Sequence, residues 1–290
     1  MLIQMFTIEN SKLTRRTMFW VEMAALVLTV LGMMALMAFI RQTLLSGAPA
    51  DSSLTVDGIN LAQTESFLTW PQSFSFVMGV IYTVGTLLTL VLAGAVTAQE
   101  YTWRSYQLWL SRGVPRWQVV LAKFMAVTLA TFLFITVATL VLTVVSGIAS
   151  QLILGSLPFA AVSWPNLLLT ILTVTLSLLP YAALGLLLAI SARSTVVAIG
   201  GGLAFTLLAE PVVQQLMPLL GERWAQASLY LPTSLGQLLN RYATNMIVVN
   251  GDALPTLGVT PTIAAFMLGV YTLVLLVTAV ILFQRQDLGG

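Results

Sequence analysis

EYTWRSYQLWLSRGVPR, residues 100–116, is the one stretch of this chain where charged side chains and aromatic rings crowd together. Long uncharged tracts lie on either side, Ser66–Gln99 before it and Phe124–Ala192 after it. That contrast decides the fold. Only 8% of the 290 residues are charged and 58% are hydrophobic, whereas a soluble domain carries about 25% charge. So much apolar surface exceeds what a soluble core needs, and the chain must use lipid as solvent. Cysteine and histidine are both absent, which removes disulfides, thiolate chemistry and the commonest metal and acid/base side chains. A net charge of +2 gives no reason to expect nucleic acid as a partner.

A bilayer core takes about 20 apolar residues per helix. The uncharged runs therefore predict an all-α membrane protein with six spans, at about 18–40, 74–98, 119–146, 166–190, 194–217 and 261–283. The 69-residue run 124–192 holds two of them, divided near Gly155, Pro158 and Pro165. Residues 1–290 then form one transmembrane domain. The first apolar run, Met18–Ile40, is longer than the roughly 7–15 residues of a signal-peptide core, so it is expected to stay as a span even though Ala48-Pro49-Ala50 resembles a cleavage site.

The basic residues sort by side. Lys12, Arg15, Arg16, Arg104, Arg112, Arg116, Lys123, Arg193 and Arg285, nine of the twelve, fall in segments that six spans place together. Arg41, Arg223 and Arg241 fall on the other side, among Asp51, Asp57, Glu65, Glu222 and Asp252. An excess of Lys and Arg marks the cytoplasmic face, so both termini are expected inside a cell membrane. Trp20, Trp70, Trp103, Trp109, Trp117, Trp164 and Trp224 lie at or beyond the expected span ends, where amphipathic rings prefer to sit.

Residues 100–116 thus join the second and third spans on the cytoplasmic side. At 100° per residue, Trp103, Tyr106 and Leu110 share a face, while Glu100, Arg104, Gln107 and Ser111 oppose it. Glu100 and Arg104 stand in the favourable acid-first spacing, and Gly113 and Pro115 end the helix. A short helix over about 100–112 follows, with two readings open. It is an interfacial helix anchored by Trp and Tyr, with Arg toward lipid head groups, or a docking element for a soluble partner, since Trp, Tyr and Arg dominate such interfaces.

The run EYTWRSYQLWLSRGVPRWQVVLAK resembles the cytoplasmic segment of ABC-2-type (type V exporter-like) transporter permeases. Glu100, Leu108, Leu110, Ser111, Arg112, Gly113, Val114, Arg116 and Lys123 match the order of that segment. Arg104, Ser105, Tyr106, Gln107 and Pro115 depart from it. A second likeness is the tight turn around Ser191–Ser194 in ALGLLLAISARSTVVAIGGGLAF, residues 183–205. The resemblance implies a half-transporter that pairs with a second copy or a paralogous permease. Its coupling helix, carrying Glu100, Trp103, Arg104, Tyr106, Leu110, Arg112 and Arg116, would seat in a separate ATP-binding subunit. ATP and Mg would be held by that subunit, leaving this chain without a cofactor or catalytic role. The chain indeed has no G-x-x-x-x-G-K-[ST] loop; Gly200-Gly201-Gly202 instead suits close helix packing.

Two acids lie inside expected spans. Glu22, one turn into the first, is expected to pair with Arg15, Arg16 or Lys123. Glu210, followed by Pro211, sits in the outer half of the fifth. It faces either a cavity on a substrate path or solvent at the span end. Pro180 predicts a kink in the fourth span, where Ala182, Gly185 and Ala189 suit helix contact. Leu2, Met5 and Phe6 predict an interfacial N-terminal helix reaching about residue 10. Residues 41–71 show no strand pattern, and 218–260 suit short re-entrant or interfacial helices.

Three classes of function compete. An ATP-driven permease for lipids, peptides or other amphiphiles fits the topology and the 100–123 motif. A secondary transporter or channel would want polar groups at mid-bilayer, where Glu210 is the charged candidate. A membrane enzyme lacks an acid/base or metal set.

Overall fold

The computed structural model describes residues 2–46, 55–56, 59–103, 106, 109, 111, 113–247 and 258–286. The chain is built from helices: α1 (Leu2–Thr14), α2 (Thr17–Ser46), α3 (Leu61–Leu68), α4 (Gln72–Thr102), α5 (Arg116–Leu154) and α6 (Trp164–Ala192). The fifth span runs Thr195–Leu220. It comprises α7 (Thr195–Ala204), a π-helical turn (Phe205–Ala209), α8 (Glu210–Leu216) and a 3-10 turn (Met217–Leu220). Then come α9 (Glu222–Ser228), α10 (Pro232–Asn245) and α11 (Pro261–Arg285).

Among the described residues, α2, α4, α5, α6, the Thr195–Leu220 segment and α11 are long and apolar enough to cross a membrane. These are the six expected spans, each lengthened by some residues. Hydrocarbon offers no hydrogen-bond partners, so the backbone must satisfy itself within each helix. Such a helix continues until caps stop it. Gly155, left-handed at φ 68, closes α5 through its N–H to the Gln151 carbonyl. Arg193, at φ 51, closes α6 in the same region. Ser194 then caps α7 by accepting the Val197 N–H, so the expected tight turn at 191–194 is present.

Helices α4 and α6 form the centre and are mostly buried by their neighbours, whereas α2, the fifth span and α11 are mostly exposed at the outside of the bundle. They meet backbone to backbone. A Cβ on Gly185 would lie 2.6 Å from the Leu90 carbonyl oxygen and 3.1 Å from the Gly94 nitrogen, the approach that small residues permit between membrane helices. Of the three consecutive glycines only Gly202 is packed, against Leu90; Gly200 and Gly201 face open space.

Contacts divide the bundle into two ends. At one end Arg16 donates to Gln99, Arg116 to the carbonyls of Phe283, Gln284 and Gln286, and Gln286 to the Ile190 carbonyl. The N-terminal helix, the segment after α4, the α6–α7 turn and the end of α11 therefore share one end, as the basic residues predicted. At the other end the Trp70 indole donates to Ser146 and its backbone N–H to Ser150. Asn166 and Ser163 bind the carbonyls of Met246 and Ile247 there.

Several expectations need correction. Helix α1 extends past residue 10 to Thr14, where Lys12 finds acidic partners in Glu9 and Glu100. Residues 41–71 do contain strand: Thr55–Val56 pairs antiparallel with Ile59–Asn60. Helix α3 follows immediately, its start fixed by a reciprocal cap between Asn60 and Gln63. The expected 100–112 helix is not one unit, since α4 runs without a break through Glu100 to Thr102. Tyr106, Trp109 and Ser111 are helical beyond it. Val114 N–H then bonds the Trp109 carbonyl across Gly113 at φ 73, the Schellman closure that glycine makes possible.

Candidate functional site at the basic end of the bundle

A lysine inside an apolar helix needs an anion or loses its charge. Lys123, 1% exposed on α5, has two. Its ammonium lies 2.9 Å from Glu9 on α1 and 2.8 Å from Glu100 at the end of α4. Lys12 closes the set at 3.2 Å from Glu9 and 3.5 Å from Glu100. Two cations and two anions cancel, and three helices are tied at one point. Burial alone would raise the Glu9 carboxyl, but the attraction of Lys123 and then Lys12 outweighs it and holds Glu9 below its usual 4.5.

Helix α1 reaches this cluster because Met5, Glu9 and Leu13 repeat at four-residue spacing along its buried face. The aromatic residues beyond α4 cover the cluster. Lys123 lies 5.7 Å from the Tyr106 ring and Lys12 4.9 Å from Trp109. Tyr106 is itself buried, its ring against Tyr101 and Phe283 and its hydroxyl donating to the Thr97 carbonyl. Burial, reinforced by the neighbouring Glu100 carboxylate, raises the Tyr106 phenol well above its ordinary value, so it remains a donor.

The expected interface residues thus separate. Glu100 and Tyr106 face inward and serve the lock. Trp103 is 60% exposed, with the Arg16 guanidinium 5.0 Å from its ring. Arg116 caps the carbonyls that end α11, where a cation is favoured. Arg104, Leu110 and Arg112 lie outside the described residues. Trp103, Tyr106 and Leu110 were expected on one face; Trp103 is in fact exposed and Tyr106 buried, with α4 ending at Thr102 between Glu100 and Trp103.

Glu22 is a second correction. It has none of the expected partners: Lys123 is held by Glu9 and Glu100, and Arg16 by Gln99. Both Glu22 carboxyl oxygens are buried without a hydrogen bond among the described residues.

Glu210 is buried at 2% exposure, which removes the reading that placed it near solvent. One oxygen accepts the Tyr181 hydroxyl at 3.0 Å and the other the Thr233 backbone N–H at 2.7 Å. Tyr181 belongs to α6 and Thr233 opens α10, so one carboxyl gathers three elements. Thr233 Oγ1 lies 2.9 Å from the Tyr181 hydroxyl and completes the triangle. The π-helical turn just before Glu210 rotates the helix there, the Glu210 N–H bonding five residues back to Phe205. Sequence reasoning found Glu210 but neither partner; Tyr181 after Pro180 and the Pro232-Thr233 helix start were the available signals.

Among the described residues no group of three His, Cys, Asp or Glu side chains is arranged as metal ligands would be. A family model described as "Protein of unknown function (DUF2705)" matches residues 29–289. No curated protein matches the chain.

Proposed function

We propose that this chain, which belongs to the DUF2705 family, is the membrane-spanning subunit of an ATP-driven ABC-2-type exporter. ATP and Mg sit on a separate ATP-binding subunit, and a second copy or a paralogous permease completes the transporter. Both termini, with the basic end of the bundle, face the cytoplasm of a cell membrane. The observation that carries this reading is the Glu9–Lys123–Glu100 lock. It joins the segment bearing exposed Trp103 rigidly to α1, α4 and α5, so a push on that segment is transmitted to the transmembrane helices rather than lost in a loop.

The cargo is a lipid, peptide or other amphiphile. Two apolar grooves share Leu179, one of about 460 Å³ between α5 and α6 and one of about 540 Å³ mainly along α11. Phe124, Phe132 and Leu176 line the first, and Leu273, Leu276 and Val280 the second. Walls of this chemistry suit acyl or apolar side chains and offer a polar solute nothing.

A proton-driven secondary transporter is the second reading, favoured by the buried carboxyls Glu22 and Glu210 within spans. Purification of the intact protein from its own membranes separates the two. Co-elution of an ATP-binding subunit and ATP-dependent flux support the exporter. Flux that follows a proton gradient and persists without ATP overturns it.

A further inference from the structure

Charge at the junction of α1 and α2 does not balance. Lys12, Lys123, Glu9 and Glu100 neutralise one another, which leaves Arg15 and Arg16 without an ion pair among the described residues. Arg16 spends one donor on the neutral Gln99 side chain at 2.7 Å and rests on the Trp103 ring. Arg15 is exposed and has no ion pair among the described residues.

Both arginines line a cleft of about 360 Å³ together with Lys12, Glu100 and Trp103. Arg15 and Lys12 also line an adjoining hollow of about 330 Å³, with Thr7, Ile8 and Ser11. The depth of the site is marked by Trp20. It is exposed, carries its indole N–H on the Thr14 carbonyl at 3.0 Å, and adjoins exposed Val21 on α2. An exposed tryptophan with one end polar and one apolar belongs at head-group level.

We propose that this double cleft binds the head group of an anionic phospholipid. The Arg15 and Arg16 guanidiniums donate to the phosphate oxygens, where the forked geometry of arginine favours an oxyanion. Lys12 adds a third positive edge, and the acyl chains leave over exposed Ile8. Glu100 also lines the cleft, but one of its oxygens is held by two lysines and the other is buried, so its charge is compensated before a phosphate arrives. Membrane embedding is the only premise; the site stands whether or not ATP drives transport.

Native mass spectrometry of the purified full-length chain, released from nanodiscs of equimolar phosphatidylcholine and phosphatidylglycerol, tests it. Phosphatidylglycerol should be retained in preference to phosphatidylcholine. Arg15→Gln should cut that preference about fivefold, and the double change with Arg16→Gln further. Arg15→Lys should keep most of it. Arg223→Gln, at an exposed arginine outside the cleft, serves as the control and should change nothing. Equal retention of the two lipids, or a double variant that behaves like wild type, overturns the proposal. Displacement of the lipid by inorganic phosphate also overturns it, assigning the cleft to a soluble anion.

Discussion

Lys123 and Glu100 meet at 2.8 Å with both side chains 1% exposed, although Glu100 opens the charged segment at the end of α4 and Lys123 lies beyond it on α5. Removing one partner of such a buried pair leaves an uncompensated charge and costs about 3–5 kcal/mol. Lys123→Met should therefore lower the thermal midpoint of the detergent-solubilised protein sharply. Combining it with Glu9→Gln and Glu100→Gln should recover part of the loss, because neither buried acid then needs a counter-ion and the one charge left, on Lys12, is part-exposed. If the triple variant is less stable than the single one, the residues do not act as a charge-balanced unit.

Glu9 gives this lock a pH edge. Its carboxyl is held below 4.5 in the folded chain, so it binds fewer protons folded than unfolded. Its contribution is complete above the unfolded value and is lost as pH falls through the lower folded one. Tryptophan emission should report loosening of α1 on the acid side of 4.5 and no change from this group toward neutral pH. Glu9→Gln should abolish that acid transition.

Trp103 and Tyr106 should behave oppositely when shortened to alanine. Tyr106 is packed against Tyr101 and Phe283, and truncating a buried aromatic ring costs about 3–5 kcal/mol. Trp103 is exposed, and its loss should cost within about 0.5 kcal/mol of stability while weakening association with an ATP-binding subunit. Melting curves and co-purification, run on both variants, separate the two roles.

Glycines in different settings should also diverge. Gly185→Ala drives a methyl into the Leu90 carbonyl, an overpacking worth about 1–3 kcal/mol of destabilisation. Gly200→Ala meets nothing and should stabilise α7 by about 0.5–1 kcal/mol. Thermal midpoints of the two variants check the sign of each.

At the far carboxyl, Tyr181→Phe removes one of two hydrogen bonds to Glu210, a loss of about 0.5–1.5 kcal/mol. Glu210→Ala strands the Thr233 N–H and leaves the Tyr181 hydroxyl with Thr233 Oγ1 alone, and should cost more. Transport in vesicles should fall with Glu210→Ala, whereas a fully active variant would remove Glu210 from any pathway role.

The spans and their two-sided grouping were legible because lipid imposes them. A bilayer tolerates few charges, so uncharged runs mark the helices, and Lys and Arg mark one side. The lock was not legible. Glu9 and Lys123 lie 114 residues apart, and nothing local says which acid a buried lysine will choose; Glu22 was as plausible a partner as Glu9. The end of α1 was misplaced for the same reason, since Lys12 counts as a terminator only if it meets solvent. Glu210 was visible as an acid in an apolar run. Its burial depends on α10 folding back onto α6, a tertiary fact with no periodic signature.

Cross-linking from position 103 tests the central claim most directly. The chain has no cysteine, so Trp103→Cys provides a single reactive thiol, and Tyr106→Cys provides a buried control. The account predicts that the thiol at 103 cross-links to an ATP-hydrolysing subunit in native membranes, with a yield that changes when ATP is added, while the thiol at 106 does not. Capture of no nucleotide-binding chain from position 103, in membranes that still support transport, would contradict it.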